Sequence, residues 1–131
     1  MATLFTKLIN RELPAHVLFE DDSFFSFLDI HPMARGHALV VPKREEDYFF
    51  DLREDELSNI LPFAKKVATA IEQVVECKRV GLSVVGLEVP HAHLHLIPIN
   101  RVSDMQFGKA AIQMSDEDLS ALADEIRSKI R

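Results

Sequence analysis

The sequence predicts an α+β domain: a largely antiparallel five-stranded sheet, one long helix and a short C-terminal helix. Three observations predict it. Short apolar runs of strand length are separated by turn residues in the first third of the chain; one long stretch switches to helical periodicity; and two further strand-like runs follow before a capped terminal segment.

Val17 to Glu20 and Phe24 to Leu28 are β-prone runs joined by Asp21-Asp22-Ser23, a turn composition, and together read as a hairpin. Pro32 and Gly36 interrupt the chain ahead of Ala38-Leu39-Val40-Val41, an unbroken apolar run closed by Pro42, which reads as a buried third strand. From Arg53 onward Leu57, Ile60, Leu61, Ala64, Val67, Ala68, Ile71, Val74 and Val75 recur at steps of three and four, the stripe of an amphipathic helix. Pro62 lies inside it, so either a kink or a late start is expected there. Strands are expected around Arg79 to Val85 and His91 to Ile97. Ser115, followed by Asp116, Glu117 and Asp118, reads as the N-cap of a last helix carrying Leu119, Leu122, Ala123 and Ile126, and both helices are expected on one face of the sheet.

A chain of 131 residues has room for a single domain, spanning 1–131. Its formal charge of −6, with no basic block, excludes a track for a nucleic-acid backbone and means that any phosphate ligand has to be held by a few local donors. Cys77 is the only cysteine, so neither an internal disulfide nor a Cys-x-x-Cys metal site can form, which fits a reducing cytoplasm. The first ten residues lack the apolar core of a secretory signal, and no stretch is apolar enough to span a membrane.

The chemical signal lies in the histidines. Three of the six, His91, His93 and His95, alternate within one expected strand. They therefore project from one side at about 6.6 to 7 Å spacing, while Ala92, Leu94 and Leu96 take the other side. Three imidazoles on one face suit either nucleophilic attack, with neighbours orienting the nucleophile and donating protons, or coordination of a metal. Leaving three such groups on a half-buried strand without a task is costly.

His91-Ala92-His93-Leu94-His95-Leu96-Ile97 resembles the signature of the histidine-triad (HIT) family, His-φ-His-φ-His-φ-φ with φ apolar. The resemblance extends to Phe27-Leu28-Asp29-Ile30-His31-Pro32, to Gly36-His37 with the strand and Pro42-Lys43 after it, and to Gly86-Leu87-Glu88-Val89-Pro90. It implies a HIT-like fold and a two-step hydrolysis of a purine nucleotide phosphoramidate, an adenylate or a dinucleoside polyphosphate. In that reaction His93 attacks the α-phosphate and water then cleaves the nucleotidyl-histidine. It further implies that His95 contacts the phosphate or leaving group, that His91 and His37 complete the hydrogen-bonded set, and that Asp29 accepts from the ribose hydroxyls. Leu4, Phe5, Leu8, Phe27, Leu28 and Ile30 would line the base pocket, Glu88 would border the nucleotide, and no cofactor is required. The resemblance also implies a homodimer that joins two sheets edge to edge, and an exposed sheet edge makes such pairing physically sensible.

Some positions depart from the family pattern. Val80 and Leu87 stand where Asn and Gln are common, Glu88 stands where some members have a hydroxyl, and Gln106 and Lys109 are the candidates to replace the lost contacts. His31 is expected to shape the turn at the pocket rim. Thr3 and Thr6 occupy the places of a zinc-binding cysteine pair found in some members, so no structural zinc is expected. A histidine at the third triad position favours hydrolysis over nucleotidyl transfer. Two other functions remain open on these residues: a three-histidine metalloenzyme, and a nucleotide-binding adaptor with weak catalysis.

Overall fold

The computed structural model describes residues 2–131. Its centre is a five-stranded sheet in the order β1-β2-β3-β5-β4, antiparallel at every pairing. The strands are β1 (Val17–Glu20), β2 (Phe24–Leu28), β3 (Ala38–Pro42), β4 (Arg79–Ser83) and β5 (Leu94–Ile99). Three helices accompany them: α1 (Leu4–Ile9), α2 (Glu54–Val74) and α3 (Asp116–Arg127).

The β1–β2 turn forms because the Asp21 carboxylate accepts the backbone N–H groups of Ser23 and Phe24, both at 2.8 Å. In β2 every residue is buried, because both faces of the sheet are covered. Phe24 and Leu28 join Ala38, Val40, Leu94 and Leu96 against the apolar faces of α2 and α3. Phe25 and Phe27 point the other way and pack with Leu39, Val41 and Phe5 of α1. Ser26 is accommodated in the core by donating its hydroxyl to the Leu39 carbonyl at 2.8 Å.

The two helices expected on one face are there, but α1, absent from the sequence reading, covers the opposite face. It is a six-residue helix capped by the Thr3 hydroxyl, which accepts the Thr6 N–H at 3.1 Å. At the start of α2 the Glu56 carboxylate reaches back to the Arg53 N–H at 2.8 Å, and the helix runs through Pro62 without a break. The exposed position of Pro62 lets water take the carbonyl that its missing N–H leaves unpaired. Leu61, read from sequence as part of the buried stripe, is 55% exposed instead. Among the described residues no helix is long and apolar enough to cross a membrane.

The triad strand is shorter than expected. It begins at Leu94, not His91, and β4 correspondingly ends at Ser83 instead of Val85. The β3–β5 register pairs Ala38 with Leu96 and Val40 with Leu94, and its continuation would set Ala92 opposite Pro42, which has no N–H to give. From there the triad segment takes other partners: Ala92 N–H donates to the Glu46 carbonyl at 2.6 Å and His91 N–H to the Val89 carbonyl at 2.8 Å.

Candidate active site

A cleft of about 480 Å³ opens on the α1 side of the sheet, with His93 and His95 in its wall. Leu4, Phe5 and Leu8 reach it from α1, Phe27 and Leu39 from adjacent strands, and Asp29, Ile30, His31, Glu88 and Val89 from flanking loops. Leu28 only borders it, because its side chain belongs to the core on the other face. His37 and His91 lie outside the cleft wall, behind the two histidines that line it.

The departure from strand geometry at His91 turns its ring into the protein. His91 is fully buried, with Nε2 2.7 Å from the Pro42 carbonyl and Nδ1 2.7 Å from the Thr3 hydroxyl. A carbonyl can only accept, so Nε2 carries the proton and Nδ1 accepts from Thr3. Burial pushes the His91 pKa below the usual imidazole value, consistent with a neutral ring. His93 Nδ1 lies 2.7 Å from the His91 backbone carbonyl, which places its proton there and leaves the Nε2 lone pair free. The Phe5 ring presents an edge contact to both imidazoles, with centroids 5.6 Å from His91 and 5.0 Å from His93.

The second pair has the opposite proton order. Met33 N–H donates to His37 Nδ1 at 3.0 Å, so the His37 proton sits on Nε2, 3.0 Å from His95 Nδ1. His95 Nδ1 then accepts, and its free Nε2 carries a hydrogen. Burial depresses His37 to about 4, and burial, followed by repulsion from His37 and His93, depresses His95 to about 4. Both rings are neutral at neutral pH. His93 and His95 stand with ring centroids 5.1 Å apart, so a lone pair and an N–H donor lie side by side at the cleft.

Gly36 is what delivers His37. Its φ of +94° is a left-handed conformation, and a Cβ there would lie 3.0 Å from Val75 and 3.1 Å from Pro98. The His37 carbonyl accepts the Asp29 N–H at 3.0 Å, which ties the two residues together. One Asp29 oxygen accepts the His31 N–H at 2.8 Å, the turn role expected of His31, and the other lies 3.7 Å from His37 Nε2. Burial raises the Asp29 pKa above the usual carboxylate value.

The fold does not gather the three triad histidines around one point. Among the described residues, the potential metal ligands that come together are Asp29, His37 and His95, with donor atoms within 4.8 Å of one another. Gln106 and Lys109 do not line the cleft, and the Lys109 ammonium donates to the Ser103 carbonyl at 2.9 Å. Leu87 is 88% exposed, and Val80 packs against the α2 core. The sequence reading missed several features of the site, among them Leu13, Pro14 and Ala15 of the cleft lining. Leu39 shares a face with Phe27 and His95, which only the strand register reveals. Val89 lies next to Glu88, Thr3 bonds His91, and the Phe107 ring sits 4.9 Å from that of His95. Nothing in the local sequence marks the last two contacts.

A family model described as HIT domain matches residues 10–102. The chain belongs to the HIT domain family. An uncharacterised HIT-like protein of Methanocaldococcus jannaschii is 38% identical over 105 residues, covering 72% of this chain and 77% of that one. An adenosine 5'-monophosphoramidase of Schizosaccharomyces pombe is 34% identical over 134 residues, with 100% of both chains covered. Among solved structures, a HIT-like protein involved in cell-cycle regulation from Bartonella henselae superposes with a TM-score of 0.84 at 28% identity, covering 98% of this HIT chain and 96% of its own.

Proposed function

We propose that this HIT protein is a hydrolase of phosphorus-linked nucleotides that works through a nucleotidyl-histidine on His93, with residues 1–131 acting as one domain. The observation that carries the reading is the Nδ1 hydrogen bond from His93 to the His91 carbonyl, which aims an unprotonated Nε2 at the cleft beside the Nε2–H of His95. In the first step the Nε2 lone pair forms a bond to the α-phosphorus, the bond from phosphorus to the leaving group breaks, and the departing amine or oxygen takes a proton from solvent water at the cleft. The His95 N–H supports the phosphoryl oxygens as their charge develops. Water then attacks the same phosphorus and gives up a proton to solvent, the P–N bond breaks with its electron pair returning to His93 Nε2, and a nucleoside monophosphate is released.

The apolar wall of Phe5, Leu8, Phe27 and Ile30 offers a surface for a flat base, and the second Asp29 oxygen can accept from ribose hydroxyls. The adenosine 5'-monophosphoramidase activity of the fission-yeast relative makes an adenosine phosphoramidate the substrate to try first. Acid quenching during turnover, followed by mass spectrometry, should reveal an adenylyl group on His93. His93→Ala should abolish the adduct and lower turnover by roughly a thousandfold or more. Turnover that survives in His93→Ala refutes the nucleophile. If the wild type binds AMP tightly and cleaves no phosphoramidate, adenylate or dinucleoside polyphosphate, the protein is a nucleotide-binding adaptor.

The working form is a homodimer joined at the β4 edge. Leu82 on that strand and Leu61 on α2 are 49% and 55% exposed, and together with Val80 they border an apolar groove along the edge. The lone Cys77 and the absence of any disulfide fit action in the cytoplasm.

A further inference from the structure

We propose that Thr3 is a positioning residue for the nucleophile: its hydroxyl clamps the His91 ring, and the His91 carbonyl in turn holds the His93 imidazole in the reactive tautomer. The inference rests on His93 being the nucleophile, as proposed above, and concerns how its proton is kept in place.

The proton accounting allows one arrangement. The Pro42 carbonyl takes the Nε2 proton of His91, so Nδ1 of that neutral ring has only a lone pair to offer. Thr3 Oγ1, 2.7 Å away, must supply the hydrogen. Its single proton is then committed to His91, although Thr6 Oγ1 lies only 3.2 Å away. Hydrogen bonding by the Thr6 hydroxyl and then the Thr3 N–H holds the Glu45 carboxyl below its usual range. Glu45 also accepts the Thr3 N–H at 2.8 Å, so Thr3 is fixed at its backbone and at its hydroxyl.

The consequence reaches the chemistry through one peptide. His91 is gripped at both ring nitrogens, so the plane of its carbonyl is fixed, and that carbonyl is the acceptor that keeps the His93 proton on Nδ1. Without the Thr3 hydroxyl, a buried imidazole nitrogen lacks a partner, and the ring is free to rock toward another one. The His91 carbonyl then moves with it, and His93 can place its proton on Nε2, which removes the lone pair that attacks. A simple anchoring role would differ in its effect. α1 also carries Leu4, Phe5 and Leu8 of the cleft wall, so a Thr3 that merely tethered the helix would alter nucleotide binding and leave the attack step alone.

The test uses Thr3→Val, which keeps the shape and removes the hydrogen, and Thr3→Ser, which restores it. With an adenosine phosphoramidate, Thr3→Val should lower kcat about tenfold with KM within about twofold of wild type, and Thr3→Ser should recover most of the loss. Independently of turnover, ¹⁵N NMR of the imidazoles should show His93 protonated on Nδ1 in the wild type and Thr3→Ser, and mixed between its two nitrogens in Thr3→Val. Should Thr3→Val not fold, Thr3→Ala is read by the same two measurements. A raised KM with unchanged kcat, a Thr3→Ser as impaired as Thr3→Val, or an unaltered His93 tautomer overturns the proposal. If no substrate is turned over, the NMR comparison still decides whether Thr3 positions His93, separately from whether His93 is a nucleophile.

Discussion

Replacing His37 by Gln should flatten the acid side of the protein's stability curve. The His37 value falls from 6.5 to about 4 because the ring is buried between the Met33 N–H and His95. As pH falls through this window, the unfolded chain takes up the proton before the folded one does. Stability is therefore at its fullest above pH 6.5, declines between 6.5 and 4, and has lost the whole contribution below 4. Over the whole window the loss attributable to this ring is about 3 kcal/mol, and between pH 7 and pH 5 it is about 2 kcal/mol. His37→Gln removes that part. It also removes the repulsion that helps to depress His95, so any relaxation there changes the difference in the same direction. The raised value of Asp29 acts oppositely, favouring the folded state as pH falls, but is common to both proteins. Urea unfolding followed by far-UV circular dichroism suits a chain with no Trp and one Tyr. The wild type should lose about 2 kcal/mol more than His37→Gln on going from pH 7 to pH 5. Losses that agree to within about 0.5 kcal/mol would refute a buried neutral His37.

Three further outcomes are expected. Asp29→Asn retains an oxygen for the His31 N–H but gives up the charge facing the cleft, so KM for a ribonucleotide should rise about tenfold while that for its 2'-deoxy analogue rises less, as steady-state kinetics will show. Gly36→Ala forces a Cβ against Val75 and Pro98 at a φ of +94°; a thermal melt should show a loss of more than about 1 kcal/mol, with turnover reduced because His37 shifts. Leu82→Glu places a charge on the exposed β4 edge and should give a monomer by light scattering, whereas a dimer that persists places the interface elsewhere.

The parts of the fold visible in the sequence are those set by local patterning. The hairpin at Asp21 to Ser23 depends on a carboxylate reaching its own turn, α2 on a stripe repeated over five turns, and the last helix on a serine cap whose hydroxyl accepts the Asp118 N–H at 3.0 Å. Each needs only neighbours along the chain. The α1 helix has six residues and too few apolar positions to set a period, and it persists because Phe5 packs on Phe27 and His91. The start of β5 at Leu94 depends on Pro42, which the register would set opposite Ala92, fifty residues later in number. The spacing of the histidines identified the two imidazoles that line the cleft, but it also put His91 on the same surface. The contact that turns His91 inward comes from Thr3, at the other end of the chain.

The site draws two different chemical states from one residue type, and in each case a backbone group makes the choice. A carbonyl beside His93 draws the proton to Nδ1 and leaves a lone pair at Nε2. An N–H at Met33 claims Nδ1 of His37, and the order passes along to give His95 a donor at the same ring position. This ordering also bears on the cluster of Asp29, His37 and His95. For His37 to ligate a metal through Nε2 it would have to move its proton to Nδ1, where it would meet the Met33 N–H head on. The backbone that leaves an N–H on His95 Nε2 thus opposes metal capture by the same pair, an arrangement that favours the proposed nucleophilic substitution over a metal site.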